Sequence, residues 1–143
     1  MSVYQISIFL ENRAGQLAEV TRALADNHID MRAISIAETA DYGVLRLIVD
    51  DAEKATYILH QQGFILSMTP VSVVCVPDEI GGLAPVLEAL AKGNMDVEYM
   101  YSLFTHKEGT AYMVFRIADE AKFAELLRPY RIMLAGNEEL GIK

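Results

Sequence analysis

The chain has 143 residues, 52% of them hydrophobic, a formal net charge of −8 and a single cysteine, Cys75. This balance excludes a disordered chain, an intrachain disulfide, and the basic footprint that non-specific binding to nucleic acid or an anionic membrane requires. No apolar run approaches the ~18 residues of a membrane span, and no basic stretch followed by an apolar core opens the sequence, so the expectation is a cytoplasmic globular protein that engages neither nucleic acid nor membrane.

In chain order, Val3 to Leu10 alternates Ile6, Ile8 and Leu10 against Gln5, Ser7 and Phe9, which predicts a half-buried strand. After a short polar turn closed by Gly15, Leu17, Val20, Leu24 and Ala25 recur at helical spacing with Glu19, Arg22 and Asp26 on the wet side. Asn27-His28 ends that helix. Ile29 to Glu38 and Val44 to Val49 read as strands flanking the turn Asp41-Tyr42-Gly43. Asp50-Asp51 is a capping signal for a helix over 52–62, stopped by Gly63. Phe64 to Thr69 reads as a fourth strand, and the order is β-α-β-β-α-β, the split βαβ or ferredoxin-like pattern. Pro70 is the linker signal.

The second half repeats the first. Val71 to Val76 is a strand holding Cys75 as a core thiol, and 82–92 is a helix stopped by Gly93-Asn94. Asp96 to Phe104 and Thr110 to Ile117 form a hairpin across His106-Lys107-Glu108-Gly109. Glu120 to Leu127 is a helix, and Arg131 to Ala135 a last strand. With an offset of 66 positions, Gly15 falls on Gly81, Leu17 on Leu83, Val20 on Val86, Leu24 on Leu90 and Asp30 on Asp96. A repeat this long is a folding unit. The reading is α+β, with domains at 1–69 and 70–143, each too small to be stable without sharing buried surface.

Such a unit lays both helices on one sheet face. Alternation puts Ile34, Ile36, Leu45, Leu47 and Val49 under the helices, with Met100, Met113, Phe115 and Ile117 as counterparts. The opposite face then carries Ala33, Ser35, Arg46, Ile48, Tyr99, Tyr101, Tyr112, Val114 and Arg116, too apolar for water alone, which predicts self-association.

The turn Asn12-Arg13-Ala14-Gly15-Gln16-Leu17 joins a strand to a helix, so free backbone N–H groups point into it and the helix end favours a carboxylate. Gly15 permits positive φ and a close approach, and Asn12 offers both a donor and an acceptor. Asp30, at the start of the next strand, is placed to accept from an ammonium at the turn of a neighbouring domain. The segment Asp78-Glu79-Ile80-Gly81-Gly82-Leu83 with Asp96 repeats the arrangement. An amino acid carries both complementary groups. The alternative is that these residues serve the conformation of the turn alone.

The stretch IFLENRAGQLAEVTRALADNHIDM resembles the opening of an ACT domain, the amino-acid-sensing module of many metabolic enzymes, in its apolar strand, Asn-x-x-Gly-x-Leu turn and amphipathic helix. Residues 71–96 resemble it again, with Asp78 in place of Asn. The resemblance implies ACT domains paired side by side into an eight-stranded sheet with helices on one face. It implies an effector amino acid at the domain seam, lined by Asn12 through Leu17 and Asp78 through Leu83, with Asp30 and Asp96 contributed from the partner domain. Leu10 stands where serine-sensing members use a His, which argues against serine. The same resemblance implies a non-enzymatic regulator that acts as a homodimer or higher homo-oligomer, on a partner enzyme of amino-acid metabolism or on its own assembly.

Other groups point elsewhere less strongly. His28, His60 and His106 are scattered and predict no metal or cofactor. Tyr99 and Tyr101 lack the basic context of an RNA-stacking pair. Arg46 and Arg116 fit ion pairs with Glu38 and Glu98, and no carboxylate has the orienting partner that acid–base catalysis needs. A ligand-free assembly module is the competing function.

Overall fold

A computed structural model describes residues 2–11, 13–38, 41–105 and 107–143, the side chain of Glu38 aside. Its elements run β1 (Val3–Glu11), α1 (Gln16–Asp26), β2 (Met31–Glu38), β3 (Tyr42–Val49), α2 (Ala52–Gln61), β4 (Ile65–Pro77), α3 (Ala84–Lys92), β5 (Tyr99–Ser102), β6 (Thr110–Arg116), α4 (Glu120–Leu127), a 3₁₀ turn (Arg128–Tyr130), β7 (Leu134–Ala135) and α5 (Asn137–Leu140). The chain forms two compact units: Tyr4–Thr69 with Gly141–Lys143, and Pro70–Leu140 with Ser2 and Val3.

Each unit is a βαββαβ sheet. The first orders its strands β2-β3-β1-β4 and the second β5-β6-β4-β7, with β4 supplying its early residues to one and its late residues to the other. Ile8 pairs with Leu45 and Ile36 with Leu45 in the first; Val74 pairs with Met113 and Met100 with Phe115 in the second. The period-2 alternation of these strands sends one side of each sheet toward two helices.

The cores follow the duplication. Ile8, Leu10, Val20, Leu24, Leu47 and Leu59 are buried in the first, and Val74, Val76, Val86, Leu90, Phe115 and Leu127 take equivalent places in the second. Where the first unit holds Leu47 and Ala55, the second holds Phe115 and Phe123, whose rings meet at 5.4 Å between centroids.

Helix ends are set by local chemistry. Asp51 accepts from the Lys54 amide at 3.2 Å and Asp119 from the Lys122 amide at 3.0 Å, so α2 and α4 carry carboxylate caps. Left-handed His28 and Asn94 close α1 and α3, with Ile29 N–H donating to Leu24 C=O and Met95 N–H to Leu90 C=O, both at 2.9 Å. These are six-to-one bonds of the Schellman type, and Asn tolerates the conformation better than most residues.

Three expectations are corrected. Phe64 to Thr69 and Val71 to Val76 are one continuous strand rather than two separated at Pro70. The proline falls just before the ladder to β6, which begins at Ser72, so it removes no donor from that ladder. The face opposite the helices is not bare, since Ala33, Ile48, Tyr112 and Val114 are buried. In the second unit α5 lies against that face, where Glu139 accepts from the Tyr112 hydroxyl at 2.8 Å and meets the Cys75 thiol at 3.7 Å. A covered face no longer argues for self-association. Finally, Ile36 is 54% exposed, because α1 begins too late to reach it.

The expected hairpin residue His106 lies outside the described residues. Arg116 pairs with Glu98 at 3.7 Å as expected and donates to the Pro70 carbonyl at 3.0 Å. Among the described residues no group of three His, Cys, Asp or Glu stands close enough to hold a metal, and no helix is long and apolar enough to cross a membrane.

Burial, then the Glu139 carboxylate, push the Cys75 thiol up to about 11 and the Tyr112 phenol up to about 12. The unfolded chain therefore releases these protons at lower pH than the folded one. Their contribution to stability is complete below pH ~9 and is lost as pH climbs through 11 to 12. Urea unfolding at stepped alkaline pH should show that decline, and a Cys75→Ala, Tyr112→Phe double variant should flatten it.

Candidate functional site

The first strand-to-helix turn leaves backbone donors without acceptors. Arg13 N–H donates to the Glu11 carbonyl at 2.8 Å, and helical bonding resumes with Glu19 N–H to Gly15 C=O at 3.0 Å. Between them, the amides of Ala14, Gly15, Gln16, Leu17 and Ala18 meet no acceptor among the described residues. Gly15 sits at φ 88° and is the N-cap of α1, so that helix begins without a side-chain cap. A non-glycine residue there would suffer the Cβ clash of the left-handed region. The helix end adds a partial positive charge to the exposed amides. Asn12 lies outside the described residues.

Beside this turn is a cleft of 280 Å³ lined by Leu10, Glu11, Arg13, Gln16, Leu17, Ile36, Tyr42 and Gly43. A neighbouring cleft of 210 Å³ shares Leu10, Glu11, Gln16 and Tyr42, and adds Asp41 and Phe64 among its walls. Leu10, Ile36 and Gly43 stand on the helix-facing side of the sheet by alternation with Ile8, Ile34 and Leu45. The exposed Ile36 is thus a cleft wall, and Phe9 and Tyr42 meet nearby with ring centroids 6.0 Å apart.

The electrostatics are mixed. The Arg13 guanidinium donates to Glu19 at 3.2 Å and lies 3.6 Å from Glu11; the Glu19 bond and charge raise its pKa above the usual arginine value. Gln16 is 8% exposed, and its Oε1 is buried without a donor. An unpaired buried acceptor of this kind costs about 1–3 kcal/mol. Sequence reasoning placed Gln16 in the turn but gave its side chain no task.

The second turn has the same path but different bonding. Asp78 N–H donates to the Gly109 carbonyl at 3.0 Å, Glu79 N–H to Pro77 at 2.9 Å, Gly82 N–H to Glu79 at 3.1 Å and Ala84 N–H to Gly81 at 3.3 Å. Val86 N–H is engaged by Leu83 C=O at 3.1 Å, and Pro85 has no N–H. Among the described residues this leaves the amides of Ile80, Gly81 and Leu83 without an acceptor, against five in a row at the first turn. A Cβ on Gly82 would stand 2.1 Å from the Pro77 oxygen, so the backbone closes on itself where the first turn has Gln16. Ile80 is fully exposed, while Leu83 packs on the core of its unit.

The two aspartates lie away from the turns of their own units. Asp30 stands beyond the far end of α1, its carbonyl accepting from the Asp50 amide and its own amide donating to the Asp50 carboxylate, and it is paired with Arg32. Asp96 is exposed in the equivalent position after α3. Within each unit, the fold groups Arg13 through Leu17, and separately Asp78 through Leu83, but does not bring the aspartates to them.

Comparison with known proteins reflects this architecture. A crystal structure of protein BT0572 from Bacteroides thetaiotaomicron superposes with a TM-score of 0.89 at 38% sequence identity, covering 99% of this chain and 96% of that one. The ligand-free regulatory subunit of aspartate kinase from Thermus thermophilus shares the fold with a TM-score of 0.67 at 20% identity, over 90% of each chain. The corresponding subunit from Thermus flavus shares it at 0.61 and 17% identity, covering 90% of this chain and 92% of that one. A search of curated proteins found no match. The family model for the ACT domain pair matches residues 1–141, and the chain belongs to that family.

Proposed function

We propose that this ACT domain pair is a non-catalytic regulatory protein that binds a small amino-acid effector at its first strand-to-helix turn. The observation that carries the reading is the run of amides from Ala14 to Ala18, without an acceptor among the described residues, beside a cleft of 280 Å³. The effector carboxylate meets those amides, where the helix end favours it. Asn12 and nearby carbonyls receive the ammonium, with Asp30 contributed by the ACT unit of a neighbouring chain. The second turn, Asp78 to Leu83 with Asp96, is the weaker site because the amides of Asp78, Glu79 and Gly82 are engaged internally.

In this reading the protein works in the cytoplasm as a homodimer or higher homo-oligomer, with ACT units of neighbouring chains side by side. It modulates a partner enzyme of amino-acid metabolism or its own assembly. The aspartate kinase regulatory subunits of the same fold lend that role support. Binding acts only through a difference in affinity between two states.

Ile80 favours a second reading. A fully exposed isoleucine on a turn held by its own hydrogen bonds suits a protein contact rather than a ligand site. In a ligand-free assembly module, Ile80→Asp would dissociate the oligomer while no amino acid shifted the melting curve.

A thermal-shift screen of the twenty amino acids separates the two. An effector at 100 times its Kd should add about 2.7 kcal/mol of stability; no shift with any amino acid at millimolar concentration defeats the proposal. Gly43→Ala supplies a local check. Its new methyl would stand an ordinary 3.7 Å from Ile36 Cδ1, so the strand accepts it and gains about 0.5–1 kcal/mol of ligand-free stability. The same methyl narrows the cleft, and calorimetry should show effector affinity falling about tenfold, a loss of ~1.4 kcal/mol.

A further inference from the structure

One group in the first cleft is used neither by the fold nor by a carboxylate cradle. The Gln16 side chain is more than nine-tenths buried, yet its Oε1 meets no donor among the described residues. Buried polar atoms in native proteins are overwhelmingly paired. Packing alone does not explain this one, because leucine or methionine fills the same volume without a polar atom.

Two observations tie Gln16 to a ligand. Its side chain lines both clefts beside the turn. At the equivalent position of the second turn stands Gly82, where the Pro77 carbonyl leaves no room for any side chain. The amide is therefore confined to the turn whose backbone donors are open.

The other walls narrow the choice of ligand. Glu11 and Asp41 repel a carboxylate-bearing side chain, and the charge of Arg13 is already shared between Glu11 and Glu19. A hydrocarbon side chain would fit against Leu10 and Ile36 but would leave the glutamine amide unpaired in a site it has dried further. A hydroxyl or amide both donates and accepts, so it pairs with the glutamine amide in either orientation.

Resting on the proposed function, we infer that Gln16 is a specificity-determining residue and that the effector is an amino acid whose side chain carries a hydroxyl or an amide. Sites built to hydrogen-bond such a group discriminate strongly against analogues that lack it.

The test compares near-isosteric pairs on the intact chain by titration calorimetry: threonine against valine, and asparagine against leucine. The polar member of at least one pair should bind about tenfold tighter or more. In Gln16→Leu that ratio should fall to about threefold or less, with a ligand-free melting temperature equal to or above the parent's, since an orphaned polar atom has been removed. Valine and leucine binding as tightly as threonine and asparagine, or binding confined to side chains without a hydroxyl or amide, overturns the inference and leaves the proposed function standing. So does a Gln16→Leu chain that keeps the polar preference, or one that melts lower because the glutamine had a partner in the chain. If Gln16→Leu does not fold, the paired titrations on the unaltered chain decide alone. Failure of every amino acid to bind defeats the proposed function itself.

Discussion

Backbone amides that find no acceptor among the described residues are the constraint around which the site is organised. A strand that becomes a helix within four residues has no geometry for pairing its intervening N–H groups internally unless a side chain or a tightened turn intervenes. At α2 and α4 a side chain does so, through Asp51 and Asp119. At α3 the tightened turn does so, through carbonyls of Pro77, Glu79, Gly81 and Leu83. At α1 neither is present among the described residues, and Gly15 in the left-handed region begins the helix with its donors exposed. Among the described residues the other three helix starts engage some of their first amides, while α1 leaves five consecutive donors without an acceptor.

The duplication serves as an internal control on that contrast. Equivalent core positions keep their burial while changing size, as Leu47 and Ala55 become Phe115 and Phe123. The turns keep the positive φ of Gly15 and Gly81. What diverges is the bonding, and two substitutions and one long-range hydrogen bond account for much of it. Pro85 stands where the first unit has Glu19 and removes a donor, Gly82 replaces Gln16 and permits the close approach of Pro77, and the Gly109 carbonyl receives the Asp78 amide. Divergence also reaches one core position: Ile6 is buried on apolar neighbours, whereas its counterpart Ser72 donates to Glu120 at 3.3 Å, beside Ser2. A shared fold thus does not oblige the two halves to share a task.

The sequence revealed what local periodicity encodes. Ile6, Ile8 and Leu10 announced a strand face, Asp51 a cap, and the spacing of Gly15 and Gly81 a repeated unit. It concealed what depends on a neighbour distant along the chain. Proline 70 reads as a break because a missing N–H usually matters in a strand; here it falls just before the β6 ladder begins, which no local pattern signals. Residues 137–140 are too few to show helical periodicity, so α5 and its cover over Tyr112 were invisible. The closing of the second turn depends on the Gly109 carbonyl, 31 positions downstream of Asp78. Gln16 was legible as a residue of the turn, but the burial of its side chain follows from the exact start of α1, the kind of boundary that sequence fixes least well.

The distribution of hydrogen bonds along α1 bears on how an effector would be felt. Its C-terminal end is latched several times over. Asn27 Nδ2 donates to the Ala23 carbonyl at 2.8 Å, Lys54 Nζ reaches the Asn27 carbonyl at 2.8 Å, and the Asp50 amide donates to the Asp30 carbonyl and the Asp30 amide to the Asp50 carboxylate, both at 3.0 Å. The N-terminal end has only its exposed amides and the surface ion pairs of Arg13, which are worth little in water. A ligand that engages those amides and the walls on Leu10, Ile36 and Gly43 would join the loose end of α1 to β1, β2 and β3 at once. On the proposed function, effector binding would tighten that end of the helix, and its effect would equal the difference in contacts between the bound and the free arrangement. Couplings of about 1–3 kcal/mol are typical of such devices, and a helix start with five unpaired donors has the bonding capacity to supply one.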